Sequence, residues 1–173
     1  MIISKGVKNM SKHFIIYFSY TGNTKKVAQK IQEITGGDCI EIEMVHPYSD
    51  DYNAVVAQGQ EEVNRGYLPS IQTRIENIGE YDTIWLGFPI WWYTMAPPVA
   101  SFLASHDLAD KTIAPFITNG GWGVGHSMED IQKACPKANI TNYLEVRFNG
   151  NQEVSGFNRV ASWVEAVQQE RGG

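Results

Sequence analysis

"FIIYFSYTGNTKKVAQKI", Phe14 to Ile31, decides the fold. The apolar run His13–Ser19 is continuous, as a strand buried on both faces should be. Within a few residues it gives way to a pattern in which Val27, Ile31 and Ile34 recur at helical spacing, stopped by Gly36-Gly37. Between strand and helix lies "SYTGNT", in which Ser19, Tyr20, Thr21, Asn23 and Thr24 crowd polar side chains around Gly22. Two readings of that loop stand. It can be a plain strand-to-helix turn with Thr24 as N-cap. It can also be an anion cradle, since a helix start offers free N–H groups and the positive end of a dipole, and glycine lets a ligand approach the backbone.

Outward from this unit the alternation of strand and helix continues. Asp38–Met44 alternates like a half-buried strand, and Asn53–Gly66 reads as a helix weakened by Gly59. Tyr81–Phe88 is a buried strand, "PIWWYTMAPP" a loop, and Pro97–His106 a helix with proline in its first turn. Lys111–Thr118 is a strand, "NGGWGVG" (Asn119–Gly125) a glycine-rich loop, and "HSMEDIQKAC" a short helix ended by Pro136. Ile140–Phe148 is the last predicted strand, and Ser155–Gly173 closes the chain as a helix with Val160, Trp163, Val164 and Val167 on one face. Five strands interleaved with helices predict a doubly wound α/β domain over residues 13–173. Its parallel sheet has order 2-1-3-4-5, with helices on both faces. The segment before His13 is predicted to be a poorly ordered extension, residues 1–12. It has neither the apolar core nor the cleavage site of a secretory leader.

Ligands of such sheets bind beyond the carboxyl ends of the strands, near the point where strand order reverses. Three unusual loops leave those ends and belong to neighbouring strands. They are "SYTGNT", then "PIWWYT" with Trp91 and Trp92, then "NGGWGVG" with Trp122. Two tryptophans at a loop tip are costly unless they stack on something flat or pack against another chain. Glycines around Trp122 allow close backbone approach to a planar ring. Other phosphate chemistry is excluded by what the first loop lacks. There is no GxxxxGK[ST], no cysteine at its start and no GxGxxG. "GHSMED" breaks the GxSxG nucleophile elbow at Glu129, so Ser127, together with Asp130, is better read as a helix cap.

Composition narrows the classes further. The chain has 173 residues with a net charge of -5 and no basic tract, which argues against a nucleic-acid partner. No apolar run approaches the roughly 20 residues needed to span a bilayer, so no membrane insertion is expected. Cys39 and Cys135 stand far apart without metal-like spacing, as free thiols of a reducing, cytoplasmic setting do.

With these loops the sequence resembles the flavodoxins. "SYTGNT" matches their phosphate motif [ST]-x-T-G-x-T at Ser19, Thr21, Gly22 and Thr24, and the resemblance runs from His13 to the C-terminus. It implies that Ser19, Tyr20, Thr21, Gly22, Asn23 and Thr24 bind the phosphate of FMN. It further implies that Pro89, Ile90, Trp91 and Trp92 flank the ring and ribityl chain. Thr118, Asn119, Gly120, Gly121, Trp122 and Gly123 then lie along the pyrimidine edge. Trp91, Trp92 or Trp122 would stack on the ring. No catalytic residue and no metal is implied. Two features depart from the family pattern. No glycine lies between Phe88 and Ala100, where many electron-transfer flavodoxins carry one beside flavin N5, and the segment 46–80 is long. The resemblance implies an electron carrier serving redox protein partners, as a monomer or homodimer. The two departures keep open an NAD(P)H-dependent FMN or quinone oxidoreductase, and the exposed tryptophans keep open a non-redox binding module.

Overall fold

Residues 12–172 are described by a computed structural model. In chain order the elements are β1 (His13–Tyr17), α1 (Asn23–Thr35), β2 (Asp38–Glu41), α2 (Tyr52–Arg65), β3 (Thr83–Trp91), β4 (Thr94–Met95), α3 (Pro97–Ser105), β5 (Thr112–Asn119), α4 (Ser127–Ala134), β6 (Asn139–Ile140), β7 (Leu144–Asn149), β8 (Gln152–Ser155) and α5 (Val160–Gly172). The expected N-terminal extension lies outside the described residues except for Lys12. Its carbonyl accepts hydrogen bonds from the backbone N–H groups of Asp82 and Thr83.

Strand β1 shows why the sheet is buried on both faces. Side chains alternate across a strand, and all four of Phe14, Ile15, Ile16 and Tyr17 are buried. Phe14 and Ile16 point into a core shared with Ile84, Leu86, Ile113 and Ile117 of the sheet and with Val55 of α2, Phe102 of α3 and Ile131 of α4. Ile15 and Tyr17 point the other way. There they join Trp85, Phe116 and Val146 of the sheet, Val27 and Ile31 of α1 and Val164 and Val167 of α5. Gly87 lies where the ring of Phe116 fills the space a side chain would need, since a Cβ there would fall 2.1 Å from the ring.

The hydrogen-bonded order is β2-β1-β3-β5-β7-β8, with β4 paired to β3 and β6 to β5. The first five of these strands are parallel and correspond to the expected 2-1-3-4-5 sheet. Strand β8 adds an antiparallel edge. Order reverses between β1 and β3, so the loops after β1, β3 and β5 share one rim.

Four segments differ from the sequence reading. The predicted strand Ile140–Phe148 is broken into β6 and β7, and between them the Thr141 N–H bonds to the Ile113 carbonyl. The final helix starts at Val160 rather than Ser155, because a turn at Gly150 (φ 58°) sends the chain back as β8. Strand β2 ends at Glu41, and Met44 pairs instead with Ile71 in an isolated antiparallel bridge. The expected "PIWWYT" loop is largely strand. β3 runs to Trp91, turns at Trp92 and Tyr93, and returns as β4 with Trp91 opposite Thr94.

Candidate functional site

A cleft of about 540 Å³ opens at the rim where strand order reverses. The loop after β1 contributes Tyr20, Thr21 and Asn23, and the end of β3 contributes Pro89, Ile90, Trp91 and Trp92. The end of β5 and its loop contribute Thr118, Asn119, Gly120 and Trp122. None of the lining residues carries a formal charge at neutral pH.

The first loop is built around Ser19. Gly22 has φ 96°, a left-handed conformation that glycine adopts without penalty. This turn aims the N–H groups of Gly22 and Lys25 at Ser19 Oγ, at 3.2 and 3.3 Å. Gly22, and not Thr24, occupies the N-cap of α1, and it makes no side-chain cap bond. Thr24 is buried behind the loop, its hydroxyl 2.8 Å from that of Thr118. The loop is thus a turn closed on Ser19 Oγ at a helix start, fixed to β5 from below. Exposed Lys26 donates from Nζ to the Asn151 carbonyl at 3.0 Å and lies 5.9 Å from the centre of the Phe148 ring.

The three tryptophans have different surroundings. Trp91 is half-buried, edge-on to Phe18, Tyr20 and Tyr48, with ring centres 5.6, 5.9 and 5.0 Å away. It lies against Gly59 of α2, where a Cβ would be 3.3 Å from Cε3. Trp92 donates its indole N–H to the Val56 carbonyl at 3.0 Å and is 36% exposed. Trp91 is therefore satellite core, contrary to the expectation of two exposed indoles, and Trp92 is pinned to α2. Trp122 lines the cleft yet is 86% exposed, which leaves most of its ring surface uncovered.

Of the residues expected at the site, Ser19, Gly22, Thr24, Gly121 and Gly123 do not line the cleft. Ser19 and Gly22 form the cradle's frame, and Thr24 braces it. Gly121 (φ 115°) and Gly123 (φ 81°) supply the turns that carry Trp122. Sequence reading missed Tyr52, Val55, Val56 and Gly59 of α2 and Phe148 and Gly150 of the β7–β8 hairpin. Asn149-Gly150 is a hairpin signal that would have exposed the second group. Gly59, four residues after Val55 on one helix face, marked the first.

Two buried polar atoms on residues that line the cleft have no partner among the described residues: Asn23 Oδ1 and Asn119 Nδ2. The other amide atom of each is engaged. Asn23 Nδ2 donates to the Gly150 carbonyl at 2.8 Å, and Asn119 Oδ1 accepts from the Gly121 N–H at 2.8 Å. A buried orphan costs about 1–3 kcal/mol.

Neither cysteine thiol is activated. Burial pushes the Cys39 thiol up to about 11, with Glu41 adding to the shift, and burial also raises that of Cys135. Both cysteines are free. Among the described residues no cluster fit for a metal occurs, and no helix is long and apolar enough to cross a membrane.

An open parallel sheet with an uncharged cleft at its strand-order reversal defines a doubly wound α/β protein with its candidate ligand site at the switch point. A flavodoxin family model matches residues 12–167, and the chain belongs to the flavodoxin family. Among solved structures it is similar to a candidate flavoprotein from Bacteroides eggerthii (31% identity, TM-score 0.78, covering 92% of this chain and 99% of that one). It is also similar to a flavoprotein from Lactobacillus acidophilus in complex with FMN (22%, TM-score 0.73, 89% and 99%). Oxidised flavodoxin 2 from Bacillus cereus shares the fold (18%, TM-score 0.58, 92% and 99%). No curated protein matches the chain.

Proposed function

We propose that this flavodoxin-family protein binds FMN in the rim cleft and carries electrons between redox partners. The observation that carries the reading is an uncharged cleft with aromatic walls at the strand-order reversal, opening beside the helix start that follows β1. Asn23 and Asn119 line the cleft and each has one unpartnered amide atom, so a small side-chain shift lets the hydroxyls of a polyhydroxy chain answer them. FMN, when bound, supplies the redox chemistry, and the protein supplies binding, orientation and electrostatics. The Ser19–Lys25 turn holds the phosphate through the helix-start N–H groups that Ser19 Oγ leaves free, without a cationic side chain. Trp91, packed on Gly59, walls the ring off from water, and Trp122 offers a free face to stack on it. An uncharged, aromatic surround in a protein of net charge -5 disfavours added negative charge on the ring and lowers its potential.

A second reading, an NAD(P)H-dependent FMN or quinone oxidoreductase, is favoured by the openness of the cleft at Trp122 and Tyr52, which are 86% and 72% exposed. The lack of a lysine or arginine in the lining counts against it, because a pyridine dinucleotide brings anionic phosphates. Anaerobic mixing with NADPH separates the two. A carrier leaves its flavin oxidised for minutes, whereas rapid bleaching, with turnover on added quinone, would replace the first reading by the second. Cytoplasmic location accords with the two free thiols.

A further inference from the structure

The turn that joins β3 to β4 is built from the wrong residues for its shape. A two-residue hairpin turn with both central residues at positive φ is normally Asn-Gly or Asp-Gly. Here they are Trp92 (φ 51°) and Tyr93 (φ 69°). Left-handed backbone is costly for such side chains and persists only where surrounding contacts over-determine it. Those contacts come from the start of α4 and the loop before it. The His126 N–H donates to the Tyr93 carbonyl at 2.8 Å. Gly125 (φ 55°) is pressed against the same carbonyl, where a Cβ would fall 1.9 Å from the oxygen. The Thr94 hydroxyl donates to Asp130 Oδ2 at 2.5 Å, and the same oxygen meets His126 Nδ1 at 2.7 Å.

We propose that Thr94, Gly125, His126 and Asp130 form a clamp that holds the Trp92–Tyr93 turn in its left-handed conformation. The clamp thereby keeps Trp92 fixed as a wall of the ligand cleft. The consequence reaches the cleft because Trp92 lines it and donates to Val56 of α2, which lines it too. None of the four clamp residues lines the cleft, so they are positioning residues. The ligand part of the proposal rests on the FMN reading. The clamp itself does not.

The test is a four-protein cycle: wild type, Thr94→Val, Tyr93→Gly and the double variant. Tyr93 is 60% exposed and does not line the cleft, so its removal takes no contact from a ligand. FMN dissociation constants and urea midpoints of the apoprotein are both measured. Thr94→Val is expected to weaken FMN binding by about fivefold and to lower the midpoint. Adding Tyr93→Gly is expected to restore most of both losses, because glycine needs no clamp to stay left-handed. A purely structural hydrogen bond would instead give additive effects, and additivity in both readouts would overturn the clamp. Asp130→Asn, combined with Tyr93→Gly, asks the same question should Thr94→Val fold poorly. If wild type binds no FMN, the ligand half falls with the functional reading, and the apoprotein midpoints still decide the clamp.

Discussion

Replacing Gly59 by alanine should stabilise the apoprotein and weaken flavin binding, two effects of opposite sign from one methyl group. Gly59 lies in the interior of α2, where alanine is favoured over glycine by about 0.8–1.0 kcal/mol. The added Cβ would lie 3.3 Å from Trp91 Cε3, 3.7 Å from Trp92 Cδ1 and 3.8 Å from Trp91 Cζ3. Only the first contact is tight, and a shift of a few tenths of an ångström relieves it. Phe18, Tyr20 and Tyr48 surround Trp91 edge-on, so the direction left open to the indole is the cleft. Without a ligand the shift is nearly free and the helix gain survives, roughly +0.5 to +1 kcal/mol. With a flat ring in the cleft the shift is blocked, and the same ~1 kcal/mol reappears as an affinity loss of about fivefold. Urea unfolding of the apoprotein and fluorescence titration with FMN read the two terms separately. An apoprotein destabilised by more than about 1 kcal/mol would refute the reasoning. So would an unchanged affinity, because either result would mean that Trp91 does not move toward the ligand.

Three other outcomes follow from the structure. Gly87→Ala should cost about 1–3 kcal/mol in thermal or urea unfolding, since its Cβ overlaps the fully buried Phe116 ring, and a neutral result would mean that the core there is loose. Trp122→Ala should leave stability within about 0.5 kcal/mol, because the indole is solvent-exposed, yet weaken FMN binding by the ~0.5–1.5 kcal/mol of a stacking contact; equal effects on both would contradict its assignment to the ligand. His106 is held neutral, its pKa lowered by burial, with the Ile75 N–H donating to Nε2 at 3.0 Å and Nδ1 bonded to the Phe102 carbonyl at 2.9 Å. A lowered folded-state pKa stabilises the protein above the ordinary histidine value of about 6.5, and that contribution is lost as pH falls through the folded value. The stability gap between wild type and His106→Gln should therefore narrow from pH 7.5 to pH 5, and a constant gap would remove His106 from the acid sensitivity.

The sheet and its order could be read from sequence because Phe14–Tyr17 and Ile84–Phe88 are short uninterrupted apolar runs, as doubly covered parallel strands require, each followed by a helical pattern. The rim could be read because Gly22, the Trp91-Trp92 pair and the glycines around Trp122 each violate ordinary loop economy. What stayed hidden depends on tertiary contacts. The Trp92–Tyr93 turn has no Asn-Gly to announce it, because its shape is imposed by Gly125 and His126 from a distant loop. Thr24 has the sequence of an N-cap, but its hydroxyl is drawn inward to Thr118 across 94 positions. Gly59 weakened the reading of α2 as a helix, and it is there to seat Trp91.

Titration of the apoprotein with FMN, followed by quenching of the flavin's own fluorescence, tests the central claim most directly. Saturation at one FMN per chain is predicted, with strong quenching from the indoles. Asn23→Leu and Asn119→Leu should each weaken binding, and riboflavin, which lacks the phosphate, should bind far more weakly. Wild-type protein that leaves FMN fluorescence unchanged at micromolar concentrations, or that binds riboflavin equally well, would contradict the assignment of the Ser19–Lys25 turn as the grip on a phosphate.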